Sequence, residues 1–125
     1  MILALLPLVA AVTQPLPVVA DNPDLRCMVA VSYALGAASE KNADAETLAS
    51  MTSVFMYFLG KVDARQPGED LARAFRRIVG QRGYDQQLPA DLRRCGGEAE
   101  LRGAMLKDLG EQLRGIAPLA PSSAG

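Results

Sequence analysis

The sequence predicts an all-α protein, a small bundle of four to five helices closed by one disulfide. Apolar residues recur at spacings of three and four along most of the chain, the period of helices that bury one face. Asn, Pro and Gly punctuation separates these stretches, and the two cysteines, Cys27 and Cys95, stand far apart on them.

The elements follow in order. Asn22, Pro23 and Asp24 form a helix start, with a capping side chain, a preset φ and a carboxylate near the positive end of the helix dipole. Leu25, Met28, Val29, Ser32 and Leu35 then share a face, so a first helix runs to about Ala38 before the polar residues 39–42. A second helix carries Asp44 and Glu46 in its first turn and Leu48, Met51, Phe55, Phe58, Leu59 and Val62 in helical rhythm. Its apolar surface at residues 54–59 extends nearly all the way round, which predicts the central helix of the bundle. The β-forming residues there would also suit a buried strand, but the helical period leading into them argues against one.

Gln66, Pro67 and Gly68 precede a third helix read as starting at Pro67, with Glu69 and Asp70 in its first turn, Arg76 and Arg77 in its last and Gly80 beyond. Leu71, Ala74, Phe75 and Ile78 make its stripe. Residues 80–89 read as a loop and 89–94 as a short helical turn ending at Gly96 and Gly97. A last helix over residues 98–114 has Leu101, Met105, Leu109 and Leu113 as its stripe. Its Gly103 and Gly110 share a face and each cost about 0.8–1 kcal/mol of helix propensity. They mark either a close helix contact or a weak surface helix. Residues 116–125 read as a flexible tail.

Ahead of the helices, residues 1–20 read as a cleavable secretory signal peptide. Residues 2–12 are an uncharged apolar run, and Val18 and Ala20 supply small residues at the positions a signal peptidase requires, placing the cut after Ala20. The run is interrupted by Pro7, Pro15 and Pro17 and falls short of the roughly 20 residues a spanning helix needs. The mature form is therefore expected to be periplasmic or secreted, without a stable membrane span. Leu25 and Arg26 stand where a lipoprotein signal would place a small residue before Cys27.

Removing 20 of 125 residues leaves 105, enough for one domain, here residues 21–115. Thirteen basic and 14 acidic residues give a net charge of -1, so bulk charge selects no nucleic-acid partner. The chain has no histidine, which removes the Ser-His, Cys-His and His-zinc chemistries and leaves Asp, Glu, Lys or Tyr for any catalysis. Aromatic residues are 5 % of the chain, too few for stacking platforms, so the core is expected to be aliphatic.

Two cysteines in an exported domain most simply form a structural bridge. Closing so long a loop stabilises the fold by about 4 kcal/mol in the chain-entropy picture. A redox pair or thiolate metal site would need Cys-x-x-Cys spacing or further ligands, which are absent. No cofactor or metal is called for, and Met28, Met51, Met56 and Met105 read as core filler rather than a copper site.

Arg73, Arg76 and Arg77 fall on one helix face, and Arg82, Arg93 and Arg94 follow. If the disulfide draws Cys95 inward, these six form an anion or partner patch; otherwise they are a solvated face on which Glu69 pairs with Arg73. Tyr84 beside Asp85 is the one candidate acid and donor pair.

Arg26-Cys27, and the segment Tyr57-Phe58-Leu59-Gly60-Lys61-Val62-Asp63, resemble a group of small exported alphaproteobacterial proteins with an early Arg-Cys and a later aromatic-Leu-Gly-Arg/Lys-x-Asp segment. The resemblance covers about half of the mature chain and implies no activity. Size, helicity and one long-range disulfide are also similar to the HdeA-type periplasmic acid chaperones. The leading expectation is a non-catalytic exported protein that binds another protein or an envelope component. A chaperone-like stress protein is the alternative, and an enzyme using carboxylates or Tyr84 is a third reading.

Overall fold

The computed structural model describes residues 22–116. The signal-peptide assignment for residues 1–20 and the tail beyond residue 116 lie outside them. Four helices make up the described chain: α1 (Pro23–Glu40), α2 (Ala45–Arg65), α3 (Leu71–Val79) and α4 (Tyr84–Ile116).

Local chemistry sets most of the boundaries. The Asn22 side chain accepts from the Asp24 amide at 2.8 Å and opens α1. At the other end Asn42 adopts φ +55°, and the Ala43 and Asn42 amides bond back to the Ala38 and Ser39 carbonyls. This left-handed closure satisfies carbonyls that the helix end would leave open. Asp44 then accepts from the Thr47 amide to start α2, and Asp70 from the Arg73 amide to start α3. The third helix thus begins at Leu71, four residues later than Pro67 suggested. Pro67 lies in the preceding turn with Gly68, whose φ of +79° needs a residue without a Cβ.

The largest departure is α4. Residues 84–116 form one continuous helix of 33 residues, where a loop, a short turn and a separate final helix were expected. Gly83, at φ +77°, makes the turn into it, and Tyr84 begins it. Pro89 is six residues in and removes the amide that would have met the Asp85 carbonyl. Both residues are exposed, a position at which solvent can compensate for the lost bond. Gly96 and Gly97 do not break the helix either, because side chains on both sides of them are held to the rest of the fold.

The second correction concerns the centre of the bundle. α1 contacts each of the other three helices, and its residues 27–31 are all buried in succession, which requires neighbours on every side. α2 buries fully only Phe58 and Val62; Val54, Phe55, Tyr57 and Leu59 pack against the core from its edge. The core combines Leu25, Met28 and Val29 of α1 with Phe58 and Val62, with Ala74 and Ile78 of α3, and with Tyr84 and Leu88 of α4. Of the methionines read as filler, only Met28 is in it. Met51 is partly covered, and Met56 and Met105 are more than half exposed.

Cys27 and Cys95 are joined in a disulfide, with Cα atoms 5.5 Å apart and neither residue accessible to solvent. The bridge fastens the central helix to the middle of α4, not to a loop ahead of it.

Candidate functional site

Two polar clamps flank the disulfide on the same face of α4, because Asp91, Cys95 and Glu98 are spaced by four and three residues. On one side Arg26, next to Cys27, donates to Asp91 at 2.7 and 3.1 Å, to Gln81 at 3.0 Å and to Gln87 at 2.9 Å. One guanidinium thereby ties α1 to the α3–α4 turn and to α4. On the other side the Lys61 ammonium lies 2.7 Å from Asp24 and within hydrogen-bond distance of Glu98. The Tyr57 hydroxyl donates to the same Glu98 oxygen at 2.9 Å. Lys61 also sits 5.5 Å from the Tyr57 and Phe58 ring centres, which themselves meet edge to face. This second clamp joins α1, α2 and α4.

One ammonium serves two carboxylates in it. Partial burial pulls the Lys61 pKa down, but hydrogen bonds and charge from Asp24 and Glu98 outweigh it and leave the pKa raised. The bond from Lys61 holds Glu98 below its ordinary value, against partial burial and with help from Tyr57.

Beyond Glu98 and Ala99 the character of α4 changes. Residues 100–116 contain no buried position, so about 25 Å of helix projects past the core. The stripe expected to be buried is exposed instead: Leu101 74 %, Met105 52 %, Leu109 48 % and Leu113 56 %, with Leu106 63 % and Ile116 80 % beside them. At 100° per residue these six fall within an arc of about 140°. Gly103 and Gly110 do not make the close contact that was one reading of them, since a Cβ at either would meet nothing within 4 Å.

Between this overhang and α2 lies an open cleft of about 330 Å³, lined by Ser50, Ser53, Val54 and Tyr57 on one side and Ala99, Arg102, Gly103 and Leu106 on the other. The walls are small or apolar. Across it Arg102 Nε donates to the Tyr57 hydroxyl at 3.3 Å. A second cleft of about 400 Å³ lies along α1 at Ser32, Leu35, Gly36, Ser39 and Phe55.

The predicted arginine patch has a different fate. Arg73, Arg76, Arg77, Arg82, Arg93 and Arg94 are all exposed, but none of them lines either cleft. Arg73 stands 3.8 Å from Asp70 of its own helix start, rather than pairing with Glu69. Arg94 donates to the Pro23 carbonyl at 3.1 Å and lies 3.5 Å from Asp91, so it serves the start of α1. Tyr84 and Asp85 diverge: the Tyr84 hydroxyl is buried without a partner, burial pushes its pKa up, and Asp85 is exposed. Among the described residues no group of three or more Cys, Asp or Glu is placed to hold a metal, and no helix is long and apolar enough to cross a membrane.

Sequence reasoning missed the Asp24, Tyr57, Lys61 and Glu98 clamp. The signal lay in Tyr57 and Lys61, four residues apart and flanking Phe58 and Val62, so polar groups had to border the core on that helix. It likewise missed Arg102 and the cleft, which exist only because α4 is unbroken. No protein-family model, curated protein or solved structure matches the chain.

Proposed function

We propose that this chain is an exported, non-catalytic helical binding protein that engages a protein or envelope component through the α2–α4 cleft and the overhanging half of α4. The observation that carries this reading is the row of large apolar side chains on residues 101–116, each about half exposed or more. A contiguous apolar strip of this kind on a small domain marks an interaction surface. The adjoining cleft offers Val54 and Leu106 as apolar walls and Arg102 and Tyr57 as polar groups, the composition of a groove that receives an amphipathic helix. The Cys27–Cys95 bridge supports export, since such bonds persist in oxidising compartments.

The test is a photo-crosslinking residue placed at Ser53 in the chain as made by its own cell. The expected result is one discrete adduct heavier than two copies of the chain, lost when Gly103→Trp fills the cleft. Absence of an adduct, or one indifferent to Gly103→Trp, would refute it.

The exposed row also favours the chaperone-like reading. In acid, protonation of Glu98 removes one bond of the clamp that anchors the overhang, so apolar surface would become freer as pH falls. That reading predicts suppression of client aggregation somewhere between about pH 2 and 7, and it fails if aggregation proceeds unchanged across that range.

A further inference from the structure

Residues 100–116 pose a problem of stability. A helical segment of this length is marginal in water without packing, and Gly103, Gly110 and Gly115 weaken it further. Yet among the described residues it meets others only near Arg102 and the cleft, and its six large apolar side chains stay exposed. Something must cover them.

The chemistry of the segment narrows the occupant. Glu100, Asp108 and Glu111 stand against Arg102, Lys107 and Arg114, so the overhang carries no net charge. An anionic membrane surface selects a helix whose polar face is rich in Lys and Arg; this polar face is balanced. A strongly charged partner gains nothing from it either. A second copy meets no repulsion. Residues 117–125 carry one large apolar side chain, Leu119, too little to cover six.

The row is also self-complementary. Leu101, Met105, Leu109 and Leu113 step by four and are symmetric about position 107. Laid antiparallel, Leu101 of one copy meets Leu113 of the other and Met105 meets Leu109. A two-fold contact requires this reciprocity, and rows of step four are the ridges that most often interlock between helices. At roughly 100 Å² of apolar surface per side chain, the four paired side chains of both copies together remove on the order of 800 Å², the size of a weak, transient contact.

We infer that two copies of this chain pair antiparallel through the overhanging half of α4, over the row Leu101, Met105, Leu109 and Leu113. This rests on the overhang being an interaction surface, and it names what covers the row, leaving the α2 side of the cleft to another partner.

Sedimentation equilibrium on the purified full chain tests it. The mass rises from one copy to two with a midpoint in the micromolar range, as a contact near the lower size limit implies. Met105→Glu with Leu109→Glu holds the protein at one copy throughout while its thermal unfolding midpoint stays near that of the unaltered chain, because neither residue touches the core. Direction is read with a short bis-maleimide linker: Leu101→Cys chains mixed with Leu113→Cys chains cross-link, and Leu101→Cys chains alone do not. A single-copy mass at all concentrations up to about 200 µM, whether the row faces water or is covered by residues 1–21, overturns the proposal. So does a dimer indifferent to the two Glu substitutions, or self-linking at Leu101→Cys. A monomer that still yields the Ser53 adduct sinks the pairing alone; a dimer without that adduct sinks the partner-binding reading alone.

Discussion

Lys61 joins groups from three helices. Its ammonium answers Asp24, whose side chain is 5 % exposed, and Glu98, and it lies against two aromatic rings. Replacing it removes the close partner of a buried carboxylate and leaves Arg65 at 3.9 Å as the nearest cation. Lys61→Met should therefore destabilise the fold by about 3 kcal/mol, seen as a lower urea midpoint at unchanged slope. The pH dependence follows from the two shifts. Glu98 is held below its unfolded value of about 4.3, so its contribution is complete above that value and disappears as pH falls through the lower folded one. Lys61 is raised above about 10.4, so its contribution is complete below that value and is lost as pH rises through the folded one. The clamp is at full strength between about pH 5 and 10. Thermal midpoints measured from pH 7 to 3 should fall less steeply in Glu98→Gln than in the unaltered chain; parallel curves would show that Glu98 is not the group responsible.

The same clamp bears on the resemblance noted in the sequence. Arg26 and Cys27 form one half of the fastening around α4, and Tyr57, Phe58, Lys61 and Val62 supply the core and the clamp of the other half. In this chain those short motifs hold helices together.

At the scale of the elements, α4 has two regimes on one continuous helix. Residues 84–98 are fixed by Leu88, Asp91, Cys95 and Glu98, which outweigh the poor helix chemistry of Pro89, Gly96 and Gly97. Residues 100–116 have no such support among the described residues and depend on propensity and on whatever covers their apolar row. Gly110→Ala should accordingly stabilise the overhang locally by about 0.8–1 kcal/mol, because an added Cβ there meets nothing within 4 Å. Hydrogen exchange should slow at amides 104–114, with the core amides unchanged. Equal slowing throughout would mean that the overhang unfolds only with the core.

For the whole molecule the decisive covalent feature is the bridge between positions 27 and 95. It closes a loop with a sequence separation of 68 residues, and losing it as Cys27→Ala with Cys95→Ala should cost about 4 kcal/mol. In a domain of this size that lowers the thermal midpoint by roughly 15–30 °C. A drop of a few degrees would indicate that the two clamps carry the attachment of α4 by themselves. Among the described residues the core is small and lies between residues 24 and 95. The upper parts of α1 and α2 and the overhang of α4 therefore extend from it as surface.

The sequence by itself determined the helical class, the cap at Asn22, the apolar faces of α1 and α3 and the pairing of Cys27 with Cys95, while Asp44 and Asp70, read as first-turn residues, are the caps of α2 and α3. These are set by period, by side chains within three residues of the groups they satisfy, and by there being only two thiols. The tertiary structure alone decided that α1 and not α2 is central, that Pro89, Gly96 and Gly97 are absorbed into one long helix, and that the Leu101, Met105, Leu109 and Leu113 stripe faces outward. Periodicity states that a helix has an apolar face but not what lies opposite it. Helix-breaking propensities of about 1 kcal/mol for each Gly and about 3 kcal/mol for Pro yield to a disulfide and two charged clamps that are assembled from residues 37 to 68 positions apart.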